Sequence, residues 1–317
     1  MPELPEVETI KRGLQKHLVG CVITGVEVLF PKIISGDVQA VVGAAVVAVR
    51  RFGKGLVIDL DNGYSMAVHV KMTGRLVYVE VPRVPQAFPK HTHVVFKLKA
   101  TKSVIPSEVK RSRGIFAHSA AQVEEIPPLP AVGRDDNPQV FLYYNDVRRF
   151  GWIKVLKTED VLNLPFFKSL GLEAPFAKAS EGQASLTLKQ FKHLLAGSKT
   201  PIKTLLMDQQ KIAGVGNIYA CDALFHAGIH PVRASSSLSK NEAGKLFASI
   251  EEILSKSIAV GGASANNYVN ALGEKGTYQE HFLVYKKEGE PCRNCTNLIL
   301  RVKTAGRSIF FCPECQT

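Results

Sequence analysis

Apolar residues at Val7, Ile10, Leu14 and Leu18 recur at helical spacing among charged and polar neighbours, and Gly20 follows them. The spacing predicts an amphipathic helix over 7–18. Beyond it the period shortens to that of strands. Runs over 22–29, 45–51, 55–60, 65–70, 75–81 and 94–98 carry β-branched and aromatic residues, and Asp61-Asn62-Gly63 is a hairpin signal. Many short strands without intervening helices predict a sandwich or barrel-like pair of sheets. From about 158 the pattern becomes helical, with helices over 187–195, 199–208, 217–227 and 240–260. Gly261-Gly262-Ala263-Ser264-Ala265-Asn266-Asn267 then reads as a flexible loop, and two short strands close the chain at 299–302 and 307–311.

Residues 100–140 fit neither period. Lys102, Lys110, Arg111 and Arg113 make the first part basic, and Glu124-Glu125-Ile126-Pro127-Pro128-Leu129-Pro130 makes the second acidic and proline-rich. This predicts a long loop or a partly disordered insertion. A chain of 317 residues is long for one core, so two or three domains are expected.

Charge narrows the partners. A formal net charge of +12 and a pI of about 9.4 point to a polyanion, nucleic acid before an anionic membrane surface. Charged residues interrupt the first twenty positions, against a secretory signal. The longest apolar run, 41–49 with Gly43 inside, is too short to span a bilayer. A soluble protein of the cytoplasm or nucleoid, making no membrane contact, is expected.

Cysteines fall into two kinds. Cys21 and Cys221 stand alone and read as buried small hydrophobes. Cys292 and Cys295 form one CxxC knuckle, Cys312 and Cys315 another, with sixteen residues between. Two knuckles at that separation signal zinc. Four thiolates leave no open coordination position, so one structural Zn2+ is expected, stapling a ribbon too small to bury a core of its own.

The first eight residues, Met1-Pro2-Glu3-Leu4-Pro5-Glu6-Val7-Glu8, offer chemistry. A small residue after Met1 allows the Met to be trimmed, which leaves Pro2 with a free secondary α-amine. An α-amine titrates near ~7.7–8.0 against ~10.4 for lysine, so much of it is nucleophilic at neutral pH. Attack on a sugar or carbonyl carbon gives an iminium ion. Glu3 lies next to it as a group able to move protons. The same residues also read as a solvated start with a helix signal, since proline and acidic residues suit a first turn.

Further candidates have plain readings beside them. Lys54 lies between Gly53 and Gly55, where glycines allow close approach of another chain, or simply turn a hairpin under an exposed lysine. His91 and His93 can donate to phosphates; they have no third ligand nearby for a metal. Arg148-Arg149-Phe150-Gly151 forms a basic and aromatic tip that suits phosphates and a base stack, or a strand end with a half-buried Phe. Gly214-Val215-Gly216-Asn217 leads a helix whose exposed amides suit phosphate.

Together PELPEVET, RRFGKG, HVKMTG, KHTH, NDVRRFG, SKTPIKTLLMDQQKIAGVGNIYA, CRNC, GRSIFFC and CPEC resemble the bacterial formamidopyrimidine-DNA glycosylase family across nearly the whole chain except 100–140. The resemblance implies an α+β multidomain fold. It divides the chain into an N-terminal catalytic β-sandwich with flanking helices (1–156), a helix–two-turn–helix domain (157–285) and a zinc ribbon (286–317). It implies a monomeric bifunctional glycosylase and abasic-site lyase of base excision repair, acting on oxidised purines in double-stranded DNA by flipping the damaged nucleotide. Pro2 would attack the sugar C1′ and Glu3 would serve as acid–base group. Lys54 would assist β-elimination, and Arg307 δ-elimination and phosphate binding. Met72, Arg148 and Phe150 would fill the gap left by the flipped base. His91, Lys199 and Asn217 would contact the backbone, and Glu6 would be a pocket carboxylate.

Three departures stand out. Val147 replaces the family's proline before the paired arginines, Ala263 to Asn267 replace a segment often carrying Thr and Lys, and the 100–140 insertion is unexpected. Two other readings remain: an endonuclease VIII-like glycosylase for oxidised pyrimidines, and a zinc-ribbon DNA-binding protein without catalysis.

Overall fold

The computed structural model describes residues 1–81, 88–100, 139–176, 184–304 and 306–317. Helix α1 spans Leu4–Leu18 and so begins three residues earlier than the apolar period indicated. Pro5 sits in its first turn, where a missing N–H costs nothing. Glu6 folds back, its Oε2 accepting the Glu3 N–H at 2.8 Å.

Strands follow as β1 (Cys21–Val28), β2 (Ile34–Gly36), β3 (Val46–Phe52), β4 (Gly55–Leu60), β5 (Tyr64–His69), β6 (Gly74–Val81), β7 (Thr92–Ala100), β8 (Gln139–Asp146) and β9 (Trp152–Lys157). They form two sheets, β1-β7-β8-β6 and β2-β9-β5-β4-β3. Ile23, Leu76, Phe96 and Leu142 from the first sheet share one core with Val49, Ile58, Met66 and Ile153 from the second. Val7, Ile10, Leu14 and Leu18 of α1 close that core, giving the expected sandwich with a flanking helix. The sequence pattern missed β2, β8 and β9, although β8 lies inside its sheet between β7 and β6 and β9 inside the other between β2 and β5. The unusual 100–140 stretch falls mainly on 101–138, outside the described residues.

The second half contains α2 (Pro165–Lys168), β10 (Leu172–Glu173), α3 (Leu188–Ala196), α4 (Ile202–Met207), β11 (Ile212–Ala213), α5 (Asn217–Ala227) and α6 (Lys240–Ala259). Thr187 caps α3 and Ser239 caps α6, each through the amide three residues on. Helix α4 is shorter than the 199–208 expected, because Pro201 stands before its first turn. The parallel bridge of β10 with β11 was not legible, being two residues long. Strands β12 (Leu300–Thr304) and β13 (Arg307–Phe311) form the terminal hairpin, and Ile299 and Phe310 join the core of α5 and α6.

Two features tie the halves together. Leu4 belongs to the helical core while Val7 belongs to the sandwich core, so α1 is shared. Arg51, wholly buried, binds Glu8 of α1 at 2.8 Å and Glu173 of β10 at 2.6 Å. Among the described residues no helix is long and apolar enough to cross a membrane.

Candidate active site at the start of the first helix

Pro2, Glu3 and Glu6 are buried where α1 meets the glycine turn before α5. The Leu4 N–H donates to the Gly214 carbonyl at 3.0 Å. Gly214 has φ +103°, and a Cβ there would lie 2.5 Å from Leu4 Cδ1, so both conformation and space require glycine. Glu3 Oε1 accepts the Ile218 N–H at 3.0 Å, at the N-terminal turn of α5. The amides there were expected to suit phosphate; one of them instead holds a carboxylate of the chain itself, favoured by the helix dipole. Glu3 Oε2 is buried with no hydrogen-bond partner.

Glu6 is saturated by comparison. Its Oε1 accepts from the Tyr219 hydroxyl and from the Ala263 N–H at 2.8 Å. Burial first, then the neighbouring Glu3 charge, push its carboxyl up to about 6. Lys54 sits in the two-residue turn between β3 and β4, behind Gly53 at φ +55°. It is buried, not exposed, and its Nζ donates to the Val215 carbonyl at 2.9 Å. Burial lowers its ammonium below the ordinary value, while Glu3 and Glu6 oppose that.

The α-amine belongs to the same cluster. In the chain as described it is that of Met1, whose titration burial lowers; Glu3 and Glu6 raise it, and Lys54 and Lys286 lower it. An amine, two carboxylates and an ammonium therefore share one poorly solvated space. That set can present an uncharged nucleophile beside a group that exchanges protons.

Asn217 and Arg307 border this centre. Lys203, also buried, donates from Nζ to Asn217 Oδ1 at 2.6 Å and to the Ser308 carbonyl at 3.0 Å. It couples the start of α5 to the terminal hairpin. Arg307 itself is exposed, and its charge lowers the titration of both Lys54 and Lys203. Lys199 is exposed ahead of α4.

Met72, Arg148 and Phe150 gather in a second cluster. Arg148 Nη1 lies 3.0 Å from Met72 Sδ, and its Cζ stands 4.7 Å from the Phe150 ring centroid. Met72 is 41% and Phe150 55% exposed, large apolar side chains that a solvated surface would not favour. Buried Asp146 holds the turn, accepting from Arg148 N–H at 3.1 Å, Gly151 N–H at 2.8 Å and the Thr73 hydroxyl. His91, at φ +66°, accepts the Asp146 N–H at its carbonyl, which places it behind the same turn. His93 Nε2 is bonded to the Asp146 carbonyl at 2.8 Å, in a structural role.

The four knuckle cysteines converge, with all Sγ atoms within 4.8 Å of one another. Cys292 and Cys315 sulfurs are 3.8 Å apart, Cys295 and Cys312 3.4 Å. Tetrahedral zinc with Zn–S bonds of about 2.3 Å separates its thiolates by about 3.8 Å. The donor set and spacing fit one structural Zn2+. It is the only group of three or more potential metal ligands among the described residues.

Sequence reading did not single out Lys203, Tyr219, Arg51 or the Gly216 seat of Glu3. Charged residues within an apolar period were the available signal for the first and third. The 261–267 stretch, expected to be flexible, is instead held through Ala263, and Ser264 N–H donates to Gln279 Oε1 at 2.7 Å.

Known proteins match this chain from end to end. The formamidopyrimidine-DNA glycosylase N-terminal domain model matches residues 1–114. The H2TH domain model of the same glycosylases matches 179–269. The zinc finger found in FPG and IleRS matches 289–317. A formamidopyrimidine-DNA glycosylase of Desulfitobacterium hafniense is 36% identical over 100% of both chains. Wild-type Lactococcus lactis Fpg in complex with N7-benzyl-Fapy-dG DNA superposes with TM-score 0.78 at 30% identity, covering 99% of each chain. The same protein in complex with DNA containing an oxidised pyrimidine superposes at 0.77 and 31%, again over 99% of each. With these three domain models matched in order and relatives aligned end to end, the chain belongs to the formamidopyrimidine-DNA glycosylase family.

Proposed function

We propose that the protein is a DNA-formamidopyrimidine glycosylase and abasic-site lyase of base excision repair. It excises oxidised purines, formamidopyrimidine and 8-oxoguanine, from duplex DNA. The observation that carries this reading is the shared burial of Pro2, Glu3 and Lys54 beside the start of α5. Removal of Met1 moves the amine to Pro2, whose ring nitrogen is secondary. Its lone pair attacks C1′ as the glycosidic bond breaks; the base departs with the bonding electrons and takes up the proton that the ring nitrogen sheds. Glu3 supplies a proton to the sugar ring oxygen, and opening of the C1′–O4′ bond leaves an iminium ion. That cation acidifies the C2′ proton, and its removal expels the 3′ phosphate (β-elimination). Loss of the 5′ phosphate follows (δ-elimination).

Lys54, bonded to the turn before α5, assists the first elimination, and exposed Arg307 neutralises phosphate during the second. Met72, Arg148 and Phe150 fill the stack when the nucleotide leaves it. His91, Lys199 and Asn217 bind backbone phosphates, aided by the net charge of +12. In this reading the catalytic unit is 1–156, the helical DNA-binding unit 157–285 and the ribbon 286–317, in a cytoplasmic monomer.

The neighbour bound to an oxidised pyrimidine supports a second reading, in which pyrimidine lesions are also substrates. Borohydride trapping on duplexes carrying 8-oxoguanine, formamidopyrimidine, thymine glycol or an abasic site tests both. A reducible adduct that Pro2→Gly abolishes, with lesion binding kept, is expected. An adduct of full yield in Pro2→Gly places the nucleophile elsewhere, and no adduct from Met-processed protein leaves a DNA binder without catalysis. Preference for thymine glycol overturns the assignment to purines.

A further inference from the structure

Lys286 adopts φ +58°, a left-handed conformation that favours glycine. Such strain persists only where neighbours enforce it. Here they do. Fully buried Asp222 of α5 accepts the Val284 N–H at 3.1 Å and the Tyr285 N–H at 3.2 Å. The Tyr285 ring packs edge-on against Phe282 and Phe310 at centroid distances of 5.2 and 5.3 Å. Lys286 is the first residue beyond this rigid seat.

Its side chain reaches the 263–267 segment. Nζ donates to the Ala265 carbonyl at 3.1 Å and to Asn266 Oδ1 at 3.4 Å. The near end of that segment is fixed at Glu6 through Ala263, and its middle by the Ser264 hydroxyl, which donates to the Tyr268 carbonyl at 2.9 Å. Lys286 supplies the outermost tie. The Glu6 carboxylate that holds Ala263 also accepts the Glu3 N–H at 2.8 Å, so the segment starts beside the reacting centre.

We propose that Lys286 is a positioning residue that clamps the 263–267 segment against the base attached to the attacked sugar, and so helps set which damaged base the site accepts. This rests on the α-amine being the nucleophile. The amine attacks the carbon that carries the base, so the base lies next to the amine. Glu6 and the segment anchored on it wall that space. A strained lysine with two hydrogen bonds to one segment fixes where the wall stands.

Lys286→Gly tests this and protects folding, because glycine relieves the left-handed strain. Single-turnover excision from an 8-oxoguanine duplex is compared with borohydride trapping on an abasic duplex, which has no base for the segment to hold. The ratio of excision to trapping is expected to fall about tenfold in Lys286→Gly. It should stay within about twofold of wild type in Lys286→Arg, which keeps donors on a long side chain. An unchanged ratio in Lys286→Gly overturns the proposal. Absence of trapping in the wild type overturns instead the reading of the amine as nucleophile, and this inference with it.

Discussion

Glu3 Oε1 accepts the backbone N–H of Ile218 at 3.0 Å, joining the third residue of the chain to a helix start 215 positions away. The contact exists because Gly216 leaves the space. The carboxylate is placed by a missing side chain as much as by its bond.

Gly216→Ala isolates that effect. Gly216 has φ −133°, which alanine adopts freely, so only the clash changes. An added Cβ would lie 2.2 Å from Glu3 Cδ and 2.4 Å from Oε1. Displacing the anchored carboxylate is expected to slow single-turnover excision by about 10²-fold, with a stability loss of ~1–3 kcal/mol. Gly244→Ala serves as the control, since a Cβ there meets nothing within 4 Å. Urea unfolding and excision rates check both; a Gly216→Ala enzyme with wild-type excision would show that this seat for Glu3 is dispensable.

Glu6 makes stability depend on pH in an unusual direction. Its carboxyl rises from 4.5 to about 6 in the folded protein, chiefly through burial. The folded state therefore holds this proton more tightly than the unfolded chain does. The resulting stabilisation is full below pH 4.5 and is lost as pH rises through about 6. The gap corresponds to about 2 kcal/mol. Unfolding of wild type and Glu6→Gln is compared from about pH 4 to about pH 7. Wild-type stability relative to the variant should decline by roughly that amount across the window. Parallel curves would mean that Glu6 titrates alike in both states.

Local pattern explains why much of this was readable. The apolar faces of α1 and of most sandwich strands follow from residue spacing, and the knuckles from cysteine spacing. Pro2, Glu3 and Lys54 stood out as candidates because a terminal proline, an adjacent acid and a lysine between glycines are each unusual, although Lys54 alone also read as an exposed hairpin residue. Their convergence was not legible from local pattern: Lys54 reaches Val215 across 161 positions. Lys203 and Arg51 look like surface residues until their partners arrive from other elements. The 261–267 stretch looked loose from its small and polar residues, whereas its order comes from Glu6, Gln279 and Lys286. Strand β8 escaped because the compositionally odd stretch separates it along the chain from both of its partners, β6 and β7.

The metal should control DNA binding through the terminal hairpin. Lys203 bonds the Ser308 carbonyl at 3.0 Å, one residue from Arg307, and so links the hairpin to Asn217. A ribbon of about 30 residues cannot bury enough surface to hold this arrangement alone. Structural zinc contributes ~10–16 kcal/mol in small zinc-binding peptides, enough to decide whether such a ribbon folds. Cys312→Ser removes one of the four thiolates, and Cys312 is itself fully buried. The variant is expected to lose its zinc, to bind lesion DNA at least about tenfold more weakly, and to show a shallower dependence of affinity on salt. The sandwich core contains no residue of the ribbon and should stay folded. Zinc stoichiometry, DNA titrations at two salt concentrations and far-ultraviolet circular dichroism measure these effects. Zinc loss with unaltered affinity and salt slope would show that Arg307 and its hairpin take no part in holding DNA.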